Sequence, residues 1–151
     1  MRKFLLTATA ISALAVFGAV LTTANGADDP IAARKALMKG VGGAVKASGE
    51  MLGDGGTFDA AKAAEAMTLV AKSATDFPAL FPETSMEGGE TTASPEIWKQ
   101  MDKFKAAAKQ LADDATAAAA AAGKSKEEFA AAFGKATGNC KSCHQEFRVQ
   151  K

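Results

Sequence analysis

The chain has 151 residues, with 18 basic and 17 acidic side chains, one histidine and two cysteines. This length accommodates one domain. The nearly balanced charge argues against a nucleic-acid-binding protein, because a basic surface would be needed to displace the counterions of the phosphates. Two cysteines three positions apart do not make a disulfide framework, so the pair must serve another purpose.

The first 26 residues have the three-part pattern of a secretory signal peptide. Arg2 and Lys3 form a basic start, 4–21 is a mostly apolar stretch, and 24–26 (ANG) places small residues at a cleavage site. An uncleaved membrane anchor is disfavoured, because the stretch is short for a span of about 20 residues and no basic flank follows it. We therefore expect a periplasmic protein without a membrane anchor, whose mature domain is 27–151 with 16 basic and 17 acidic side chains.

Apolar side chains that recur every 3.6 residues predict two helices in the first half of the mature chain. The first is expected over 30–52, with Asp29 as N-cap and Pro30 in its first turn. The second is expected to begin at an N-cap on Thr57 and to end at Pro78. A polar, glycine-containing loop over 79–93 is the longest irregular connection.

The same periodicity predicts two further helices in the second half. The third is expected to open at 94–96 (SPE) and to continue through the alanine run 115–122 to Gly123. Ser125 and Glu128 form a capping box that starts the fourth helix. Four amphipathic helices with mostly short connections predict an all-α fold, an antiparallel four-helix bundle preceded by the signal peptide.

The segment 140–144 (CKSCH) is a C-x-x-C-H haem attachment signature. On a helix, positions i, i+3 and i+4 share a face, so two thiols can bond the vinyl groups of one porphyrin while the imidazole reaches its iron. We therefore expect one covalent haem c, bonded to Cys140 and Cys143, with His144 as an axial ligand.

Three alternative roles for this cysteine pair have less support. A zinc site would need a fourth ligand in a chain with one histidine. A thioredoxin-like redox pair would accompany a βαβ pattern, which is missing from the sequence. A disulfide between the two cysteines would close a very short loop and stabilise little.

The sixth position on the iron is open to methionine, an exogenous ligand or nothing, because the chain has one histidine. Methionine raises the reduction potential and favours electron transfer, whereas an open face admits small gases. Met38, on the apolar face of the first helix, is the candidate ligand and cofactor contact. The other mature methionines are expected in the core (Met51, Met67, Met101) or in the loop (Met86).

A haem motif at the C-terminus of a four-helix pattern resembles the class II c-type cytochromes, which are cytochrome c′ and its low-spin relatives. The likeness covers nearly the whole mature chain and is carried by 34–38 (RKALM), 80–82 (LFP), 94–98 (SPEIW) and 140–148 (CKSCHQEFR). It implies thioether bonds at Cys140 and Cys143 and a proximal ligand at His144. It also implies that Arg34 lies near a haem propionate and that Arg148 is a basic residue on the proximal side. Judged without the resemblance, Arg34 is an ordinary basic residue whose side chain extends past apolar surface to reach solvent. Arg148 is then a cation at a helix C-terminus, where it interacts favourably with the helix dipole.

The resemblance implies one of two functions. Cytochromes c′ keep the iron five-coordinate and bind nitric oxide or carbon monoxide, whereas the low-spin relatives place a first-helix methionine on the iron and carry electrons. Met38 occupies the first-helix position of that methionine, and a methionine there is compatible with a five-coordinate iron as well as with a methionine-ligated one. The family also often forms homodimers through the first two helices.

We expect an electron carrier that exchanges single electrons with redox partner proteins. An enzyme is not expected, because no set of nucleophile, base and acid is found in the sequence. A gas-binding protein is the alternative. A small exported helical protein without cofactor, acting through protein contacts, is the alternative of another class.

Overall fold

Long helices occupy most of residues 29–149, the part of the chain that the computed structural model describes. The elements are α1 Pro30–Leu52, α2 Ala60–Asp76, the one-turn α3 Glu96–Lys99, α4 Met101–Ala122 and α5 Lys126–Phe147. Within 29–149 no strand forms, and none of the helices is both long and apolar enough to cross a membrane. The all-α four-helix bundle is confirmed. The expected signal peptide lies outside the described residues.

Side-chain caps start the helices largely where the sequence predicts. The Asp29 carboxylate accepts hydrogen bonds from the N–H groups of Ile31 and Ala32 at 2.9 and 3.0 Å, which fixes the start of α1. The Ser125 hydroxyl accepts from the N–H of Glu128 at 3.1 Å, as expected for the start of α5.

Two boundaries differ from the prediction. The N-cap of α2 is Asp59 rather than Thr57, because the Asp59 carboxylate accepts from the N–H of Lys62 at 3.1 Å. The third predicted helix is divided into α3 and α4 at Gln100, whose φ of −128° and ψ of 43° leave the helical region. Backbone hydrogen bonds and the apolar stripe continue on both sides of Gln100, so the sequence pattern does not reveal the break.

The bundle has two hydrophobic clusters. In the main core, α2 lies between α1 and α4, and α5 packs on α4. Its buried members are mostly small, namely Val41, Ala63, Met67, Val70, Ala115, Ala118, Ala122 and Phe129. The second, which we call the aromatic cluster, is formed by the buried residues Phe81, Ile97, Phe104 and Phe147. Phe77, Trp98 and Met101 pack against it.

The connection between α2 and α3, residues 77–95, is tied to the end of α5; we call this connection the crossover. The N–H of Ser94 donates to the carbonyl of Phe147, and the N–H of Val149 donates to the carbonyl of Thr92, both at 2.9 Å. Ala93 and Arg148 form the antiparallel bridge between them. The crossover therefore closes the end of the bundle that carries the C-x-x-C-H segment.

Candidate haem site

A cavity of about 710 Å³ lies between α1 and α5, two helices that make few contacts with each other. This volume is within the range of about 300–1,000 Å³ found for pockets that hold organic ligands. Its wall includes Met38, Val41, Gly42 and Val45 of α1, Ala74 of α2, Phe104, Ala107, Ala108 and Leu111 of α4, and Asn139, Cys140, Cys143, His144 and Phe147 of α5. A mostly apolar chamber thus faces the attachment segment.

Helix α5 brings Cys140, Cys143 and His144 to this cavity, as the i, i+3, i+4 spacing predicts. Both cysteines are free thiols, and burial raises the pKa of each. Burial, together with the nearby charge of Arg148, lowers the pKa of the His144 imidazole. A lowered pKa keeps the imidazole neutral at pH 7, which is the form that ligates metals.

Met38 lines the cavity from α1, so it shares the chamber with His144. It is the only methionine that does so among residues 29–149. Met67 is buried in the main core and Met51 packs beside it, Met101 packs on the aromatic cluster, and Met86 is exposed in the crossover. The structure therefore leaves Met38 as the methionine placed to approach an iron on His144.

Arg34 also lines the cavity, but its guanidinium is largely engaged by the crossover. It is 4% exposed, and its Nη1 donates to the Ser85 hydroxyl at 3.0 Å and to the Leu80 carbonyl at 3.4 Å. Its Nη2 donates to the Ser85 carbonyl at 3.1 Å and to the Thr91 hydroxyl at 3.0 Å. Burial lowers its pKa and the charge of Asp29 opposes that shift. With five N–H donors in a guanidinium, Nε–H remains for the propionate contact that the family resemblance implies.

The charged residues of the cavity wall are predominantly basic. Arg34, Lys35, Lys39 and Arg148 line it, against one acidic residue, Glu90. Arg148 is held by the crossover, since its Nε donates to the Thr92 hydroxyl at 3.3 Å. A surplus of cations suits a ligand that carries carboxylates, such as the two propionates of haem.

Packed rings form one side of the cavity, a feature that the sequence pattern did not assign to the site. The ring centroids of Phe81 and Phe104 are 4.8 Å apart, and those of Phe104 and Phe147 are 5.3 Å apart, both edge-to-face. Phe104 and Phe147 line the cavity, and Cys143 packs against this cluster. The phenylalanines come from separate elements, so only the fold shows that they form one surface.

Asn139 is a further cavity residue that sequence reasoning missed. It directly precedes Cys140, and its amide donates to the carboxylate of Asp114 on α4 at 2.9 Å. No local pattern connects two residues on different helices, so no sequence signal marks this contact.

The donor set fits a covalently bound porphyrin better than a bare metal ion. The two thiols match the two vinyl groups of haem, and the neutral imidazole matches its iron. The apolar chamber matches the porphyrin ring, and the basic residues of the wall match the two propionates. Within residues 29–149, no three His, Cys, Asp or Glu side chains are grouped to hold a metal ion. Fold and site together define a four-helix-bundle haem protein.

Comparison with known proteins agrees with this class. Residues 29–148 match the family model described as Cytochrome C′. A cytochrome c′ of Rhodopseudomonas palustris is 39% identical over 141 residues, 93% of this chain and 94% of the relative. A cytochrome c-556 of Agrobacterium fabrum is 33% identical over 141 residues, 93% and 95% of the two chains. The solved cytochrome c′ of Rhodopseudomonas palustris has a TM-score of 0.77 at 41% identity, covering 82% of this chain and 98% of that one.

The chain therefore belongs to the cytochrome c′ family. Members of this family bind haem c covalently, so this chain is a haem c protein. The prediction of a covalent haem is confirmed, and the alternative of a cofactor-free helical protein is wrong.

Proposed function

We propose that this protein is a non-enzymatic, periplasmic electron carrier in which Met38 and His144 are the two axial ligands of the iron. Cys140 and Cys143 hold the haem by thioether bonds in this proposal. The observation that carries it is the placement of Met38 and His144 on different helices around one cavity. When bound, the haem supplies a one-electron ferric/ferrous couple.

The protein groups suit this task because both proposed ligands are neutral. The lowered pKa of His144 leaves its lone pair available, and the thioether of Met38 is a soft ligand that favours the ferrous state. Val41, Val45 and Leu111 add apolar surface to the cavity wall. Low polarity around the iron disfavours the more highly charged ferric form, which raises the reduction potential further.

The basic part of the wall favours redox partners with acidic surfaces. Lys35 and Lys39 are exposed and line the cavity from α1. Exposed cations at the cavity attract an acidic surface over a distance of about 10 Å at moderate ionic strength. Electron exchange with such a partner should slow as salt is added.

The absorption spectrum of the mature ferric protein, made in a host that matures c-type haems, tests the proposal. Methionine–histidine ligation predicts a low-spin spectrum with the long-wavelength band of an iron–sulfur bond. A high-spin spectrum would contradict it.

A gas-binding protein is the second candidate, and the α1 side of the cavity favours it. Gly42 lies one turn after Met38, and a Cβ built on it would meet nothing within 4 Å apart from its chain neighbours and the backbone of its own helix. Val41 and Val45 flank this position. A small uncharged gas is therefore compatible with the wall beside Met38 if the methionine does not bind the iron.

A further inference from the structure

The carboxylate of Asp114 is buried between α4 and α5, next to the haem cavity. It is 5% exposed and accepts three hydrogen bonds: from Lys135 Nζ at 2.8 Å, Asn139 Nδ2 at 2.9 Å and Gln110 Nε2 at 3.0 Å. These donors lower its pKa to about 2, so it is ionised at neutral pH. Two of the three, Lys135 and Asn139, belong to the facing helix α5.

These two donors lie on the stripe of α5 that leads to the attachment segment. Lys135, Asn139 and Cys143 are spaced four residues apart, so they share one face of the helix. Asn139 and Cys143 both line the cavity. Because donors from two successive turns meet on one carboxylate, the contact restrains both the sliding of α5 along its axis and its rotation about it.

Around Asp114 the interface between α4 and α5 is built of small side chains, whereas its large contacts, such as the Phe104–Phe147 ring pair, lie nearer the ends of α5. The buried side chains of α4 near Asp114 are Ala108, Ala112, Ala115 and Ala118, and α5 presents Ala136. Small side chains allow close approach of two helices but form shallow ridges, which specify the relative position of the helices weakly. Fixing register is the best-attested use of a buried polar contact.

We propose that Asp114 is a positioning residue for haem attachment, which sets through Lys135 and Asn139 the rotation of α5 and hence the direction of Cys140, Cys143 and His144. Asp114 itself does not line the cavity. It acts through Asn139, the residue before the first attachment cysteine. This inference rests on the haem site of the proposed function.

The test compares Asp114→Ala with Asp113→Ala in the mature haem protein. Asp113 is the adjacent residue of α4, is exposed, and within residues 29–149 forms an ion pair with Lys109 of its own helix alone. Both variants remove one carboxylate from the same helix and introduce the same helix-favouring residue. The readouts are the reduction potential and the circular dichroism of the Soret band, which reports the asymmetry of the haem surroundings.

Asp114→Ala is expected to shift the potential to a more positive value and to change the Soret dichroism. Amide hydrogens of 138–144 should exchange roughly tenfold faster or more, as expected for loss of a charge-assisted hydrogen bond, while those of α2 stay protected. Asp113→Ala should change none of these. Equal behaviour of the two variants, or equal acceleration of exchange throughout the bundle, would overturn the proposal.

A second variant keeps the proposal testable if Asp114→Ala does not fold. Asn139→Ala leaves the Lys135–Asp114 pair in place and should reproduce the shift of the Soret dichroism in the same direction. In a foldable Asp114→Ala background, Asn139→Ala should add little, because both act through one contact. If the effects of the two substitutions on the Soret dichroism were fully additive, Asp114 would not act through Asn139, which would contradict the proposal. A wild-type protein without Soret absorbance would instead contradict the haem site itself.

Discussion

Two hydrogen bonds join the guanidinium of Arg34 to Ser85, one to the hydroxyl at 3.0 Å and one to the carbonyl oxygen at 3.1 Å. The residues are 51 positions apart, so this contact ties the crossover to α1 one turn before Met38. The guanidinium also lies over the ring of Phe81, 4.7 Å from its centroid. Arg34 is therefore a main link between α1 and the crossover, alongside the hydrogen bond from Lys35 to the carbonyl of Glu90 at 3.4 Å.

Replacing Arg34 by lysine is expected to destabilise the fold although the charge is kept. Lysine has one ammonium group and cannot bind both oxygens of Ser85 in a planar fork. We expect a loss of about 2 kcal/mol in the free energy of unfolding, measured by urea titration. Lys35→Arg, an exposed neighbour, should stay within about 0.5 kcal/mol of wild type. Equal stability of the two variants would show that the fork contributes nothing.

Met38→Ala is expected to convert the ferric protein to high spin and to lower its reduction potential, because the thioether ligand is lost. Absorbance and spectroelectrochemistry measure both quantities. Met51→Ala is the matched control, since Met51 lies on the same helix and packs against the main core. Its spectrum should match wild type even if its stability falls. An unchanged spectrum in Met38→Ala would remove Met38 from the iron.

Acid should weaken the wild-type fold through Asp114. Its pKa is about 2 in the folded protein against an ordinary value of 3.8. A lowered pKa stabilises the fold above the unfolded value, and that stability is lost as the pH falls toward the folded value. From about pH 5 to about pH 2, wild type should therefore lose more unfolding free energy than Asp114→Ala. Urea titrations at several pH values check this, and parallel curves would contradict it.

Replacing both Cys140 and Cys143 by serine should make the haem extractable. Without thioether bonds, haem is held only by the axial ligands and the cavity wall. Acidified organic solvent should remove it from the double variant but not from wild type, as measured by the Soret absorbance left on the chain. Retention of haem by the double variant would show attachment elsewhere.

Much of the α5 wall could be predicted from the sequence because its signals are local. The spacing of Cys140, Cys143 and His144 defines one helix face, and the cap at Ser125 places that helix. The apolar period of α1 likewise placed Met38 inward, where it lines the cavity. These predictions needed no knowledge of how the helices pack.

The contacts between elements could not be predicted in the same way. Arg34 reads as an ordinary basic residue until the crossover folds back to present Ser85 and Thr91. Asp114 sits in an alanine-rich stretch with no pattern that points to Asn139, 25 positions later. Both depend on tertiary packing, which periodicity and capping do not encode.

Addition of carbon monoxide to the reduced, mature protein tests the axial ligation by Met38 most directly. A methionine-ligated iron predicts a wild-type Soret band that stays unshifted at a carbon monoxide concentration that saturates Met38→Ala. The variant is the internal positive control, since it lacks the thioether that competes with the gas. A wild-type band that shifts as readily as that of the variant would contradict methionine ligation and favour the gas-binding function.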